Sequence, residues 1–142
     1  MENIEDMMKV TLSPSLQKRA RNHFMLGIMA EDLGMAQEAA SNFFEALFAA
    51  ADSKIFELVR DRPNDHAERL TILKARMPVL YDVTDRLFTI YKRSLVKDMD
   101  MTEARVIRNK VKEAFGHAGI PLPADDEIRK KVEELSKRKS FT

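Results

Sequence analysis

LGIMAEDLGMAQEAASNFFEALFAAADSKIFELVR, residues 26–60, decides the fold. From Met35 to Arg60 this stretch contains no proline or glycine. Ala39, Phe43, Ala46, Leu47 and Ala50 fall on one helical stripe that drifts on through Ile55 and Leu58. The spacing predicts one long helix. Gly34, just ahead of it, is the residue best able to take the left-handed conformation that ends a preceding helix. That preceding helix is marked by Leu16, Ala20, Phe24, Gly27 and Ile28, with Ser13 as its cap and Pro14 at its first position, where the missing N–H does no harm. A connection as short as the one at Gly34 makes the two helices antiparallel neighbours.

Downstream, Asp61-Arg62-Pro63-Asn64-Asp65 is a turn by composition, with Asp65 placed to cap a helix that begins near His66. Leu70, Leu73, Met77, Leu80, Thr84, Leu87 and Tyr91 then step by three and four. Pro78 lies within that run and must kink the helix or divide it between Arg76 and Val79, because its ring clashes with the preceding turn. Thr102-Glu103-Ala104 starts a further helix with Ala104, Ile107, Val111, Ala114 or Phe115, and Ala118 inward. Ile120-Pro121-Leu122-Pro123 reads as an extended connector, and Asp125 opens a last short helix with Ile128, Val132 and Leu135 inward. No segment alternates with period two, so no strand is expected. The sum is a single all-α domain over 1–142, a four- to five-helix up-and-down bundle with an irregular lead at 1–12 and a short helix and tail at 124–142.

Composition removes whole classes of chemistry. A chain of 142 residues is long enough to bury roughly 68% of its unfolded surface without a staple. The absence of cysteine excludes disulfides, thiolate nucleophiles and iron–sulfur clusters, and it fits a reducing compartment. With 24 Lys and Arg against 23 Asp and Glu, the surface as a whole is no trap for nucleic acid or anionic lipid, so any basic patch is local. The opening MENIEDMMKV is acidic and nowhere apolar for the length a signal or membrane segment needs, which gives the expectation of a cytoplasmic protein without membrane partners.

Two resemblances refine this reading. Leu26-Gly27, Ala30, Ala39, Phe43 and Ala46 resemble one tetratricopeptide hairpin, in which small residues let two helices approach closely. One repeat length further on, however, Gly27 falls on Asp61, Ala39 on Leu73 and Phe43 on Met77, and a solenoid needs about three stacked units. A peptide-binding scaffold of that kind is therefore a third alternative.

The second resemblance runs from about Leu16 to Phe115 and is to the HEPN family of small prokaryotic helical bundles. Ala30, Leu33, Gly34, Ala39, Ala40, Phe44, Ala46, Leu47 and Ala50 look like that family's first hairpin, and His66 is similar in position to a histidine that follows it. Arg86, Thr89 and Tyr91, then Thr102-Glu103-Ala104 and Ala114-Phe115, resemble its later pattern, with Ile90 where an acid is usual. The resemblance implies an interaction module, homodimeric and working with a separately encoded partner of the nucleotidyltransferase type or one associated with nucleic acid. Family members that cleave RNA resemble one another in an arginine separated by four to six residues from a histidine, and Arg60 and His66 meet that spacing.

As a catalytic pair, Arg60 and His66 would suit metal-independent RNA cleavage, with the imidazole moving a proton and the guanidinium holding a phosphate. The plainer reading makes Arg60 a solvated cation at a helix C-terminus and His66 a first-turn residue covering the bundle end. Arg105, Arg108 and Lys112 share one helical face and form the candidate nucleic-acid contact, although Asp98, Asp100, Glu103 and Glu113 are interleaved with the local basic residues. His23 reads as a boundary residue and His117 as a solvated one. Neither Glu113 with His117 nor the glutamates of the second helix supply a metal-ligand set, and no cofactor is expected.

Overall fold

The structure is a computed structural model that describes the backbone of residues 4–139 and the side chains of residues 12–138. Six helices follow in order: α1 (Ile4–Asp32), α2 (Ala36–Val59), α3 (His66–Arg76), α4 (Pro78–Ser94), α5 (Met101–Ala118) and α6 (Asp125–Lys139). There is no strand among the described residues. The chain is an all-α bundle, with more helices than the four to five expected, and no described helix is long and apolar enough to cross a membrane.

Helix α2 is the axis of the bundle and packs against α1, α3, α4 and α5. Its burial goes well beyond the expected stripe: Ala39, Phe43, Phe44, Ala46, Leu47, Ala50, Ala51 and Ile55 are all inaccessible or nearly so, while Leu58 at its end is exposed. Alanines at so many positions let neighbours approach from several sides. Helices α1 and α2 are antiparallel, since Ser13 meets Glu57 at one end and His23 meets Asn42 further along. One turn beyond His23 on α1, Gly27 lies so close to the Phe43 ring that an added Cβ would stand 2.5 Å from Cε1. Phe43 also packs on Phe24, which packs on Phe115 of α5, each pair with centroids 5.4 Å apart.

Where the chain turns, local chemistry acts much as expected. Gly34 adopts φ +74° after α1, and Asp65 caps α3 by accepting from Glu68 N–H at 2.8 Å. Pro78 divides the third helix instead of kinking it. Met77, non-helical at φ −143°, ψ 74°, ends α3 and begins α4, leaving Pro78 at a first-turn position that needs no donor. This division accounts for the sixth helix.

Two boundaries and one buried face differ from the sequence reading. Residues 4–12 of the expected irregular lead are helical, and residues 1–3 lie outside the described residues. Pro14 is thus inside α1, and Ser13 is no cap: its hydroxyl donates to Glu57 Oε1 at 3.1 Å and to the Ser53 carbonyl at 3.4 Å. Tertiary bonds to α2 brace the turn that the proline weakens. Helix α5 begins at Met101 ahead of Thr102, because Asp100 and Glu103 form a reciprocal capping box. Among the described residues, helix α6 packs on α1 alone of the helices, and its Val132, expected inward, is exposed. A fork from Arg21 to both Glu127 carboxylate oxygens, at 2.8 and 2.9 Å, ties it down.

Candidate functional site

The apolar helix α2 carries one acid into the interior. Asp52 lies one turn beyond Phe48 on the same face and is buried. The Asp65 cap fixes the start of α3, so His66 and Arg69, three residues apart, face α2 together. Helix α4 contributes Phe88 and Tyr91 at the same spacing, α1 contributes Leu16 and Arg19, and the turn between α2 and α3 contributes Arg62. These elements enclose a cleft of about 170 Å³, lined by Asp52, His66, Arg69, Arg62, Arg19, Glu45 and Tyr91 among others.

At the floor of the cleft Arg69 grips Asp52 with two parallel bonds, Nε to Oδ1 at 2.6 Å and Nη2 to Oδ2 at 2.9 Å. Both partners are withdrawn from water, with side-chain exposures of 11% and 4%. The Arg69 guanidinium also lies 4.9 Å from the Phe48 ring centroid, and its Nη1 reaches His66 Nδ1 at 2.5 Å. Arg62 Nη2 stands 3.8 Å from Asp52 Oδ2, near enough to feel its charge and too far to hydrogen-bond it. The imidazole sits among aromatic rings, with centroids 4.6 Å from Phe48, 4.9 Å from Phe88 and 5.5 Å from Tyr91.

This contact assigns the tautomer of His66. A guanidinium has only donors, so Nδ1 must accept and the proton of the neutral ring lies on Nε2. Burial lowers the pKa of His66 from its usual 6.5, and the adjacent Arg69 cation lowers it further, against the pull of Asp52, Glu45 and Asp65. Near neutrality His66 is an uncharged group that presents an N–H.

The arginine beside His66 is Arg69 and not the expected Arg60. Arg60 ends α2 in a left-handed conformation, φ 60°, with its backbone N–H on the Phe56 carbonyl, and its exposed residue is not part of the cleft lining. The turn over 61–65 separates it from α3, whereas Arg69 follows His66 by one helical turn on the same face. Sequence reasoning passed over Asp52, Arg62 and Arg69. A readable signal was present: Asp52 is the one carboxylate of α2 that follows the alanine run on its apolar face, and a carboxylate placed there needs a buried cationic partner.

The expected nucleic-acid face is partly committed elsewhere. Arg105 Nε bonds Glu31 Oε1 at 3.2 Å and Arg108 Nη1 bonds the same oxygen, so two of its cations tie α5 to a carboxylate of α1 that is only 7% exposed. Glu31 Oε2 is buried without a hydrogen bond. Lys112 is exposed on α5. His23 shares a 3.1 Å hydrogen bond with Asn42, as suits a boundary residue, and His117 lies 3.9 Å from Glu113. Among the described residues no group of three His, Asp or Glu could hold a metal ion. No family model matches the chain, and neither a curated protein nor a solved structure matches it.

Proposed function

We propose that this chain is a HEPN-like interaction module, homodimeric, which engages a nucleotidyltransferase-type or nucleic-acid-associated partner through the cleft at His66. The observation that carries the reading is the Asp52–Arg69–His66 cluster. Replacing a buried ion pair by apolar side chains of similar volume is often neutral or stabilising, so the bundle has no need of this one for stability. A charged, hydrogen-bonded cluster that opens into a cleft is instead suited to recognition.

The same cluster favours binding over catalysis. To accept a 2′-hydroxyl proton at Nε2, His66 would have to carry its proton on Nδ1, where it would oppose the N–H of Arg69. That weighs against a metal-independent ribonuclease built on Arg60 and His66. A tetratricopeptide-like scaffold has less support still, because α1, α3, α4 and α5 all pack on α2 and do not stack as successive hairpins.

Light scattering on the purified chain tests the module, with a dimer expected and a strict monomer at high concentration counting against it. Incubation with mixed RNA in EDTA tests the rival. No cleavage is expected, and cleavage by the wild type that His66→Ala abolishes would replace the binding reading with the nuclease.

A further inference from the structure

We infer that the cleft between α1, α2, α3 and α4 is an oxyanion site, which receives a phosphate or carboxylate group on Arg62, Arg19 and the Nε2–H of His66. The inference rests on reading the cleft as the recognition surface. It follows from counting which donors and acceptors there are already used. Asp52 has both oxygens bonded to Arg69, with Arg62 close by, and Nδ1 of His66 is occupied by Arg69. Among these groups the acceptors are consumed and the donors are not.

The spare donors are specific. The Arg62 side chain is 46% exposed and makes no hydrogen bond to Asp52, so its fork is open to a ligand. Arg19 lines the cleft from α1 and makes no hydrogen bond or ion pair among the described residues. His66 adds an uncharged N–H whose direction is fixed by the Arg69 contact on the opposite side of the ring. Three guanidinium groups face two carboxylates, Asp52 and Glu45, which leaves the cleft with an excess of positive charge. Glu45 is the one carboxylate of the cleft not engaged by Arg69, and the guanidinium groups outnumber it, so a cation meets net repulsion, whereas an oxyanion accepts from forked guanidinium groups in the planar geometry they present.

Size narrows the ligand further. About 170 Å³ admits a charged group and its first attached atoms, less than the 300 Å³ or more that a whole drug-sized ligand occupies. The ligand is therefore an anionic head whose remainder lies outside. Phe48 and Tyr91 wall the cleft and lower the local dielectric, which strengthens charge-assisted bonds.

Calorimetric and NMR titration of the full chain with inorganic phosphate, and separately with acetate, tests the inference against sodium chloride at matched ionic strength. One saturable site per chain is expected, with shifts in the His66 ring and the Arg62 Nε–H resonances. Arg19 and Arg62 are exposed, so Arg62→Gln and Arg19→Gln retain the fold, and each is expected to weaken binding about tenfold or more. Tighter phosphate binding identifies a phosphate-bearing ligand, and equal or tighter acetate binding a carboxylate-bearing one. No response beyond that of chloride, or binding indifferent to both substitutions, overturns the inference. A dimer without oxyanion binding refutes this inference alone, and a monomer that binds phosphate refutes the module reading alone.

Discussion

Replacing Asp52 by leucine removes both oxygens that hold Arg69, at 2.6 and 2.9 Å, and strands a guanidinium whose side chain is only 11% exposed. Arg62, 3.8 Å from the same carboxylate, is another cation and offers no compensation. Breaking a buried pair by removing one partner costs about 3–5 kcal/mol. For a chain of this length that lowers Tm by roughly 9–15 °C, at about 3 °C per kcal/mol. Arg69→Met is expected to cost a similar amount, since Asp52 is then left 4% exposed with only the distant Arg62. The double variant Asp52→Leu/Arg69→Met removes both charges and fills the space with apolar atoms, and its stability should return to within about 1 kcal/mol of the wild type or exceed it. Urea unfolding followed by circular dichroism at a common m value reads all four corners of the cycle. Single-variant losses below about 1 kcal/mol, the scale of an exposed ion pair, would refute the buried network. So would a double variant as unstable as the two losses added together.

Gly27→Ala is expected to destabilise by about 1–2 kcal/mol in thermal melts, because its Cβ would meet the fully buried Phe43 ring at 2.5 Å and overpacking outweighs the helix-propensity gain. Gly116→Ala, with open space around it on α5, should instead stabilise by about 0.8–1 kcal/mol, and equal effects at the two sites would refute the close approach of α1 and α2. His66 has a lowered pKa in the folded chain, so its contribution to stability is complete above the unfolded value near 6.5 and declines as pH falls from there toward the folded value. Urea midpoints between pH 7.5 and 5.5 should drop more for the wild type than for His66→Gln, and parallel profiles would contradict the burial of His66 beside Arg69. Asp100→Ala removes the acceptor of the capping box on α5 and should cost about 1 kcal/mol, visible as a Tm decrease of a few degrees.

Local chemistry made the helices legible. Gly34 and Asp65 act through their own backbone and near neighbours, and each ends or begins a helix as the sequence indicates. Pro78 belongs with them in part: its effect on the preceding residue is steric and local, so the place of the break near Met77 is legible in the dipeptide, while the choice between a kink and a division was left to the packing of α3 and α4. The start of α1 was not legible, because Pro14 is held inside a helix by bonds from Ser13 to residues 40 and 44 positions away. The 2.5 Å approach of Gly27 to Phe43 lies between. A small residue opposite an aromatic ring is visible in the sequence as a possibility, and only packing turns it into a contact.

The sequence by itself determined an all-α bundle, the antiparallel first hairpin, the helix boundaries set by Gly34 and Asp65 and the place of the break at Pro78, because propensity, capping and backbone sterics act over a few residues. Tertiary structure alone decided the site. His66 lies 14 residues beyond Asp52, and its arginine proved to be Arg69 and not Arg60, since α3 docks on α2 with one particular face inward. In the same way Arg105 and Arg108, a basic face by spacing, are drawn to Glu31 more than 70 residues away. Sequence spacing fixes which side chains share a helical face, while the charge each one meets depends on which helix that face is packed against.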